Sequence, residues 1–224
     1  MTLMSIKSLR EKPPLRVTEG TLRLKLIIYI LPLYLFMATH QKHLEKECFY
    51  FVTFTCYKWL PLIEKSDIYS YIPNWFSNLN RLGCQVCGYV IMPNHIHLLV
   101  YVSVDCEGLN FVLSGAKRFL AYEIVKGLQY NNEDELLHQL QAGVKRNEKA
   151  KNKLHQVFRL SFDAKLLDSL ESINCVLDYI HHNPITGKWS LVSEYTEYQY
   201  SSAAFYEDGR EDPFGCLDFR VYFD

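Results

Sequence analysis

Residues 84–104 read "CQVCGYVIMPNHIHLLVYVSV". Two runs rich in apolar and β-branched residues flank Pro93-Asn94, a pair that marks a turn. This is a buried hairpin, and strands joined by so short a link run antiparallel. The chain is thereby committed to an antiparallel-rich sheet. "CFYFVTFTCYKW" (48–59) supplies a third strand with the composition of a sheet centre. Apolar residues at helical spacing predict helices within 66–83, over 109–129 and over about 169–182. Pro73 is expected to kink or divide the first. Residues 130–156 are polar, and read as helical pieces or a flexible loop. The order strand, helix, hairpin, helix, helix suits an α+β sandwich, an antiparallel-rich sheet with helices on one face.

A length of 224 residues allows one domain with extensions, or two small ones, and 49% hydrophobic residues are ample for a core. Three segments are expected: an extension over 1–36, a domain over 37–206 and an acidic tail over 207–224 that packs loosely or not at all. The extension contains "LKLIIYILPLYLF", shorter than the ~20 apolar residues of a membrane span, and "MATHQKH" follows. Met37 is therefore read as a natural start, and no stable membrane association is expected. Seven cysteines show no zinc-type paired spacing, and an odd count suits reduced thiols in a cytoplasmic protein.

The net charge of −1 gives no general sign of a nucleic-acid partner. Local patches are more informative. "KRNEKAKNK" places Lys145, Arg146, Lys149, Lys151 and Lys153 around Glu148. It reads either as a solvated face or as a phosphate-contacting patch. The run "YTEYQYSSAAFY" (195–206) reads as a surface for stacking unpaired bases or as a segment packed back on the sheet.

The chemistry lies in the hairpin and in the last helix. His95 and His97 are two apart on a strand, so both rings project from one face. Paired imidazoles suit a divalent metal; two core histidines held by backbone hydrogen bonds are the alternative. In "DYIHHNP", Tyr179 and Asn183 are four apart and share a helical face. Asn183, at the helix end, offers an amide oxygen as a ligand. Tyr179, one turn away, is a candidate nucleophile toward an activated phosphoester, or an ordinary packing aromatic.

"GYVIMPNHIHLLV", followed by "LDYIHHNPI" and then "YQYSSAAFY", resembles the HUH-type single-tyrosine transposases, specifically the REP-associated tyrosine transposase branch. The resemblance covers residues 47–206. It implies a ferredoxin-like sheet with helices on one face, metal ligation by His95, His97 and Asn183, and Tyr179 as nucleophile. The implied activity is Mg²⁺- or Mn²⁺-dependent cleavage and rejoining of single-stranded DNA through a 5′-phosphotyrosine, with folded hairpins as partners. Lys117 and Arg118, on the helix after the hairpin, are implied DNA or phosphate contacts, with Lys145, Arg146 and Lys149 as further candidates for the hairpin. The chain departs from the family where Trp-Gln gives way to Phe158-Arg159 and a following polar or His position is Asp163. A catalytically idle hairpin-binding relative and a metal-dependent hydrolase with a structural Tyr179 are the competing readings. Monomer and homodimer both remain open. Neutral imidazole ligands predict activity that falls below about pH 6, from a reference pKa near 6.5.

Overall fold

The computed structural model describes residues 45–160, 163–187 and 189–223. The 1–36 extension lies outside the described residues. The frame is a four-stranded antiparallel sheet of β1 (Cys48–Thr55), β2 (Cys84–Met92), β3 (His95–Val102) and β4 (Asp163–Leu167), in the order β2-β3-β1-β4. Helices α1 (Leu62–Ser66) and α2 (Ile72–Arg81) lie between β1 and β2, and α3 (Leu109–Tyr130), α4 (Asp134–Ala142) and α5 (Arg146–Lys149) between β3 and β4. Helix α6 (Leu170–His182) follows β4, and α7 (Ala203–Glu207) lies near the C-terminus. Each crossover skips one strand, giving the interleaved α+β sandwich that the hairpin and helix order predict, with the ferredoxin-like strand order.

The alternation of the strands decides which side chains meet which layer. Tyr50, Val52, Phe54, Ile96, Leu98 and Val100 face one side. There they join Trp75, Phe76 and Leu79 of α2, and Leu113, Leu120 and Ile124 of α3, in one buried cluster. The opposite side carries Phe51, Thr53, His95, His97 and Leu99, as the register requires, and α6 packs there against β2 and β3. The two crossover helices thus share one face, and α6 adds a layer on the other.

Several local features explain the departures from the expected boundaries. Pro73 does not kink a long helix; it sits in the first turn of α2, preceded by a 3₁₀ turn at Ile68–Tyr71. That is a position where its missing N–H costs nothing. β4 was not expected at all. Five residues with Lys165 and Leu166 exposed give a weak strand signal, and pairing with β1 supplies what the pattern lacks. The acidic segment does not hang free. Leu217 N–H donates to Val86 O (2.9 Å), the Tyr89 hydroxyl donates to Asp212 Oδ1 (2.8 Å), and Tyr222 stacks on Tyr101 at 3.9 Å. The segment's own Cys216 and Phe219 are buried. A segment read as solvated from its charge is held by its aromatic residues.

Candidate active site

Thr55 pairs with His95 and Thr53 with His97 across β1 and β3, so both imidazoles stand on the α6 side of the sheet. Their ring centroids are 4.6 Å apart, and both residues are buried, at 7% and 6% exposure. Each ring is fixed through Nδ1. His97 Nδ1 lies 2.8 Å from Thr53 Oγ1, and His95 Nδ1 lies 2.7 Å from Asn94 Oδ1. The Asn94 amide nitrogen donates to Trp59 O (3.2 Å), which turns its oxygen toward His95. An oxygen acceptor there requires the proton on Nδ1, leaving Nε2 of His95 as a bare lone pair. Holding one ring nitrogen by an oxygen so that the other can ligate is how metal-binding histidines are commonly oriented. Phe51 stacks against His97 at 5.1 Å, and the Trp59 ring edge meets His95 at 5.7 Å.

Helix α6 brings the second half. Its start is fixed by a capping box in which Ser169 and Ser172 each accept from the other's backbone N–H, at 3.2 and 3.3 Å. Its approach to the sheet depends on Gly88, beside a β-bulge after Val86. A Cβ at Gly88 would lie 2.6 Å from Leu177 Cδ1 and 3.2 Å from Leu99 Cβ. With α6 seated this closely, the Tyr179 hydroxyl lies 3.5 Å from Nε2 of His97. The Asn183 side chain is within hydrogen-bonding reach of both His95 and Tyr179. Strand pair and helix pair therefore converge, and both Tyr179 and Asn183 remain partly open to solvent.

Burial sets the protonation states. It lowers His95 to about 4, opposed by the hydrogen bond with Asn183, and lowers His97 well below the usual range with help from the neighbouring His95. Both rings are neutral at physiological pH, as metal ligands must be. The reference value near 6.5 belongs to a solvated ring, and burial keeps both imidazoles neutral below it. Burial also raises Tyr179, against an opposing hydrogen bond from Asn183, so the phenol is protonated at neutral pH.

Among the described residues no three His, Cys, Asp or Glu side chains converge on a common point. The donor set is two neutral imidazoles and the Asn183 amide oxygen, a mixed nitrogen and oxygen set that fits a divalent ion with positions left for water or a phosphate oxygen. One further oxygen lies on the same face: Asp163 pairs with Thr53 across β1 and β4. Its Oδ1 is buried without a hydrogen-bond partner, and burial raises its pKa. Thr53, Asn94 and Asp163 were not identified from sequence as parts of the site. Asn94 could have been noticed as the neighbour of His95, whereas Thr53 and Asp163 depend on register.

The basic candidates come from other elements, and of these Lys117 lies within the electrostatic reach of Asp163. Lys117 and Arg118 belong to α3, on the face opposite the histidines. The Lys117 amine donates to Arg159 O (2.6 Å), and burial pushes its pKa down to about 8. Arg118 is exposed beside Phe119 at 5.3 Å. Lys145, Arg146 and Lys149 are exposed around α5, while the ion pair at 2.8 Å engages Glu148 with Lys153.

No family model matches the chain, and no curated protein does. Among solved structures it is similar to one described as a REP-associated tyrosine transposase bound to a REP hairpin. The TM-score is 0.49 at 16% identity, over 81% of this chain and 92% of that one. No helix among the described residues is long and apolar enough to cross a membrane.

Proposed function

We propose that the protein is a metal-dependent single-stranded DNA endonuclease and strand transferase of the HUH type, acting on hairpin-bearing DNA in transposition through a 5′-phosphotyrosine at Tyr179. The observation that carries this reading is the placement of the Tyr179 hydroxyl 3.5 Å from Nε2 of His97, with Asn183 between Tyr179 and His95. An ordinary packing tyrosine has no need of a hydroxyl beside Nε2 of one of two paired imidazoles. The geometry therefore favours this reading over a hydrolase with a structural tyrosine. The element order, the resemblance of the HxH and YxxxN motifs and their convergence support it together.

His95, His97 and Asn183 would hold Mg²⁺ or Mn²⁺, which when bound polarises a scissile phosphate and stabilises the departing 3′-oxygen. Thr53 and Asn94 keep the two rings in the ligating tautomer. Asn183 orients the Tyr179 phenol. The phenolic oxygen forms the bond to phosphorus as the bond to the 3′-oxygen breaks, and the phenol proton is balanced by the one the 3′-hydroxyl gains. The phosphodiester is retained as a phosphotyrosine, so rejoining by a 3′-hydroxyl needs no outside energy source. The exposed Lys145, Arg146 and Lys149 are proposed to meet hairpin phosphates, with Arg118 a further contact. Lys117, tied to the Arg159 carbonyl, is proposed to shape that surface and contact phosphate only at its edge.

The test is cleavage of a broad library of hairpin oligonucleotides with single-stranded flanks in Mn²⁺. Wild type is expected to cut, and His95→Ala and Tyr179→Phe to lose cutting. Absence of cutting by wild type across the library removes the reading, and cutting by Tyr179→Phe removes the nucleophile assignment.

A further inference from the structure

Helix α3 is the longest helix among the described residues, and its two sides differ sharply. The inward side carries Leu113, Leu120, Ile124 and Leu128, all fully buried, and the Trp75 indole donates to Ala116 O (3.1 Å). The outward side carries aromatic rings. Phe111, Phe119 and Tyr122 are 68%, 53% and 58% exposed. At 100° per residue, Phe111, Gly115, Arg118 and Tyr122 fall within an arc of about 60°. They form a stripe roughly 16 Å long at 1.5 Å per residue. Single exposed apolar side chains are ordinary, but a contiguous row of them on a well-anchored helix marks an interaction surface.

The stripe is shaped and charged to meet itself. Gly115 lies in its middle. Glycine is disfavoured in a helix interior, and a Cβ there would meet nothing within 4 Å, so packing inside the chain does not call for it. It leaves a hollow between Phe111 and Tyr122. A two-fold axis crossing α3 between residues 116 and 117 lays two copies antiparallel. Phe111 then faces the partner's Tyr122. Arg118 faces the partner's Gly115, where the missing side chain admits the arginine stem. Glu107, exposed just before the helix, comes beside the partner's exposed Lys126. Each contact occurs twice, the self-complementarity that an isologous interface requires. A parallel arrangement instead sets Arg118 on Arg118 and Lys126 on Lys126. The Arg118 guanidinium is drawn aside over Phe119 at 5.3 Å, so its head lies at the rim and a phosphate contact there is compatible with this face being covered.

We infer that the outward face of α3 is a docking surface for a second copy of this chain, in an antiparallel two-fold contact that sets Phe111 on the partner's Tyr122 and Glu107 on the partner's Lys126. The inference is independent of the DNA-cleaving reading, because α3 lies across the sheet from His95 and His97 and each copy keeps its own site. One helix pair covers less than the ~1,200 Å² of a standard interface. The dimer is therefore weak, with dissociation in the micromolar range or above, and added salt weakens it further.

Sedimentation velocity of the full chain over about 1–300 µM in low salt spans that range. Wild type is expected to shift from monomer to dimer as concentration rises. Phe111→Ser and Tyr122→Ser should each weaken self-association roughly tenfold or more, since each removes both aromatic contacts. Glu107→Lys and Lys126→Glu should each weaken it roughly tenfold, because two attractive pairs become repulsive. The double reversal Glu107→Lys/Lys126→Glu should restore it. All four positions are exposed, so each variant is expected to keep the wild-type circular dichroism. Wild type that stays monomeric to about 300 µM, a dimer indifferent to Phe111→Ser, or a double reversal no better than the single ones would overturn the inference. Loss of hairpin affinity in Phe111→Ser with self-association unchanged would also overturn it and assign the face to nucleic acid.

Discussion

Thr53 and Asn94 are the least conspicuous residues of the site and have the clearest consequences. Each holds one imidazole by Nδ1, at 2.8 and 2.7 Å. Thr53→Val keeps the shape and removes the oxygen; it is expected to weaken Mn²⁺ binding about 10–100-fold in calorimetry with the fold intact. Burial of the histidines also makes stability depend on pH. His95 titrates near 4 in the folded chain, and the buried His181, paired with Ser202 at 3.0 Å, near 3. The unfolded chain takes up these protons near 6.5, so it binds more protons than the folded chain between the two values. Stability is then fully present above about pH 6.5 and falls as the pH drops toward 4. The slope is about 1.4 kcal/mol per pH unit for each such histidine. Urea unfolding of the metal-free protein at pH 7, 6 and 5 measures it. That His95 and His97 share one face, and Tyr179 and Asn183 another, was legible because strand and helix periodicities report which neighbours share a face. The oxygen partners of the histidines were not, because Thr53 meets His97 across 44 positions of sequence and only the register sets that pairing.

At the scale of elements, α6 is positioned by its cap and by a missing side chain beneath it. Ser169→Ala should cost about 1 kcal/mol of stability and leave the site geometry in place. Gly88→Val is the sharper change. A single added methyl needs the Leu177 tip to turn away and the Leu99 Cβ to give by a few tenths of an ångström, so Gly88→Ala should be mild, whereas the two further methyls of Gly88→Val should lift α6 from the sheet. The expected result is cleavage slowed roughly tenfold to a hundredfold with secondary structure unchanged by circular dichroism, since catalysis is sensitive to displacements of about 1 Å. The hairpin and the long helices were readable because each carries several turns or repeats of one period. β4 was not. Its "DAKLL" has outward Lys165 and Leu166 and only Leu167 fully buried, a pattern that does not separate an edge strand from the start of a helix.

For the whole molecule, the sheet divides the labour. One face holds the core under α2 and α3, and the other holds the histidines under α6. The C-terminal segment closes the β2 side, with Leu217 on Val86 and Tyr222 on Tyr101. Truncation after Glu207, which removes Cys216 and Phe219 and uncovers the surface they pack on, should lower stability on the order of 3 kcal/mol. Charge at this scale says little, because the near-neutral total averages over a basic N-terminal stretch, a basic α5 region and an acidic C-terminal segment. If Lys145, Arg146 and Lys149 meet duplex phosphates, neutralising them should flatten the salt dependence of hairpin binding by up to about 0.9 units of slope per lost contact. The central claim is that β3 and α6 together build a metal-assisted tyrosine nuclease. Its most direct measurement is peptide mapping by mass spectrometry of the denaturation-resistant product formed with hairpin DNA and Mn²⁺. The account predicts a 5′-phosphate-linked nucleotide on Tyr179, absent from Tyr179→Phe and from metal-free reactions. A cleaved strand with no adduct, or an adduct on another residue, would contradict it.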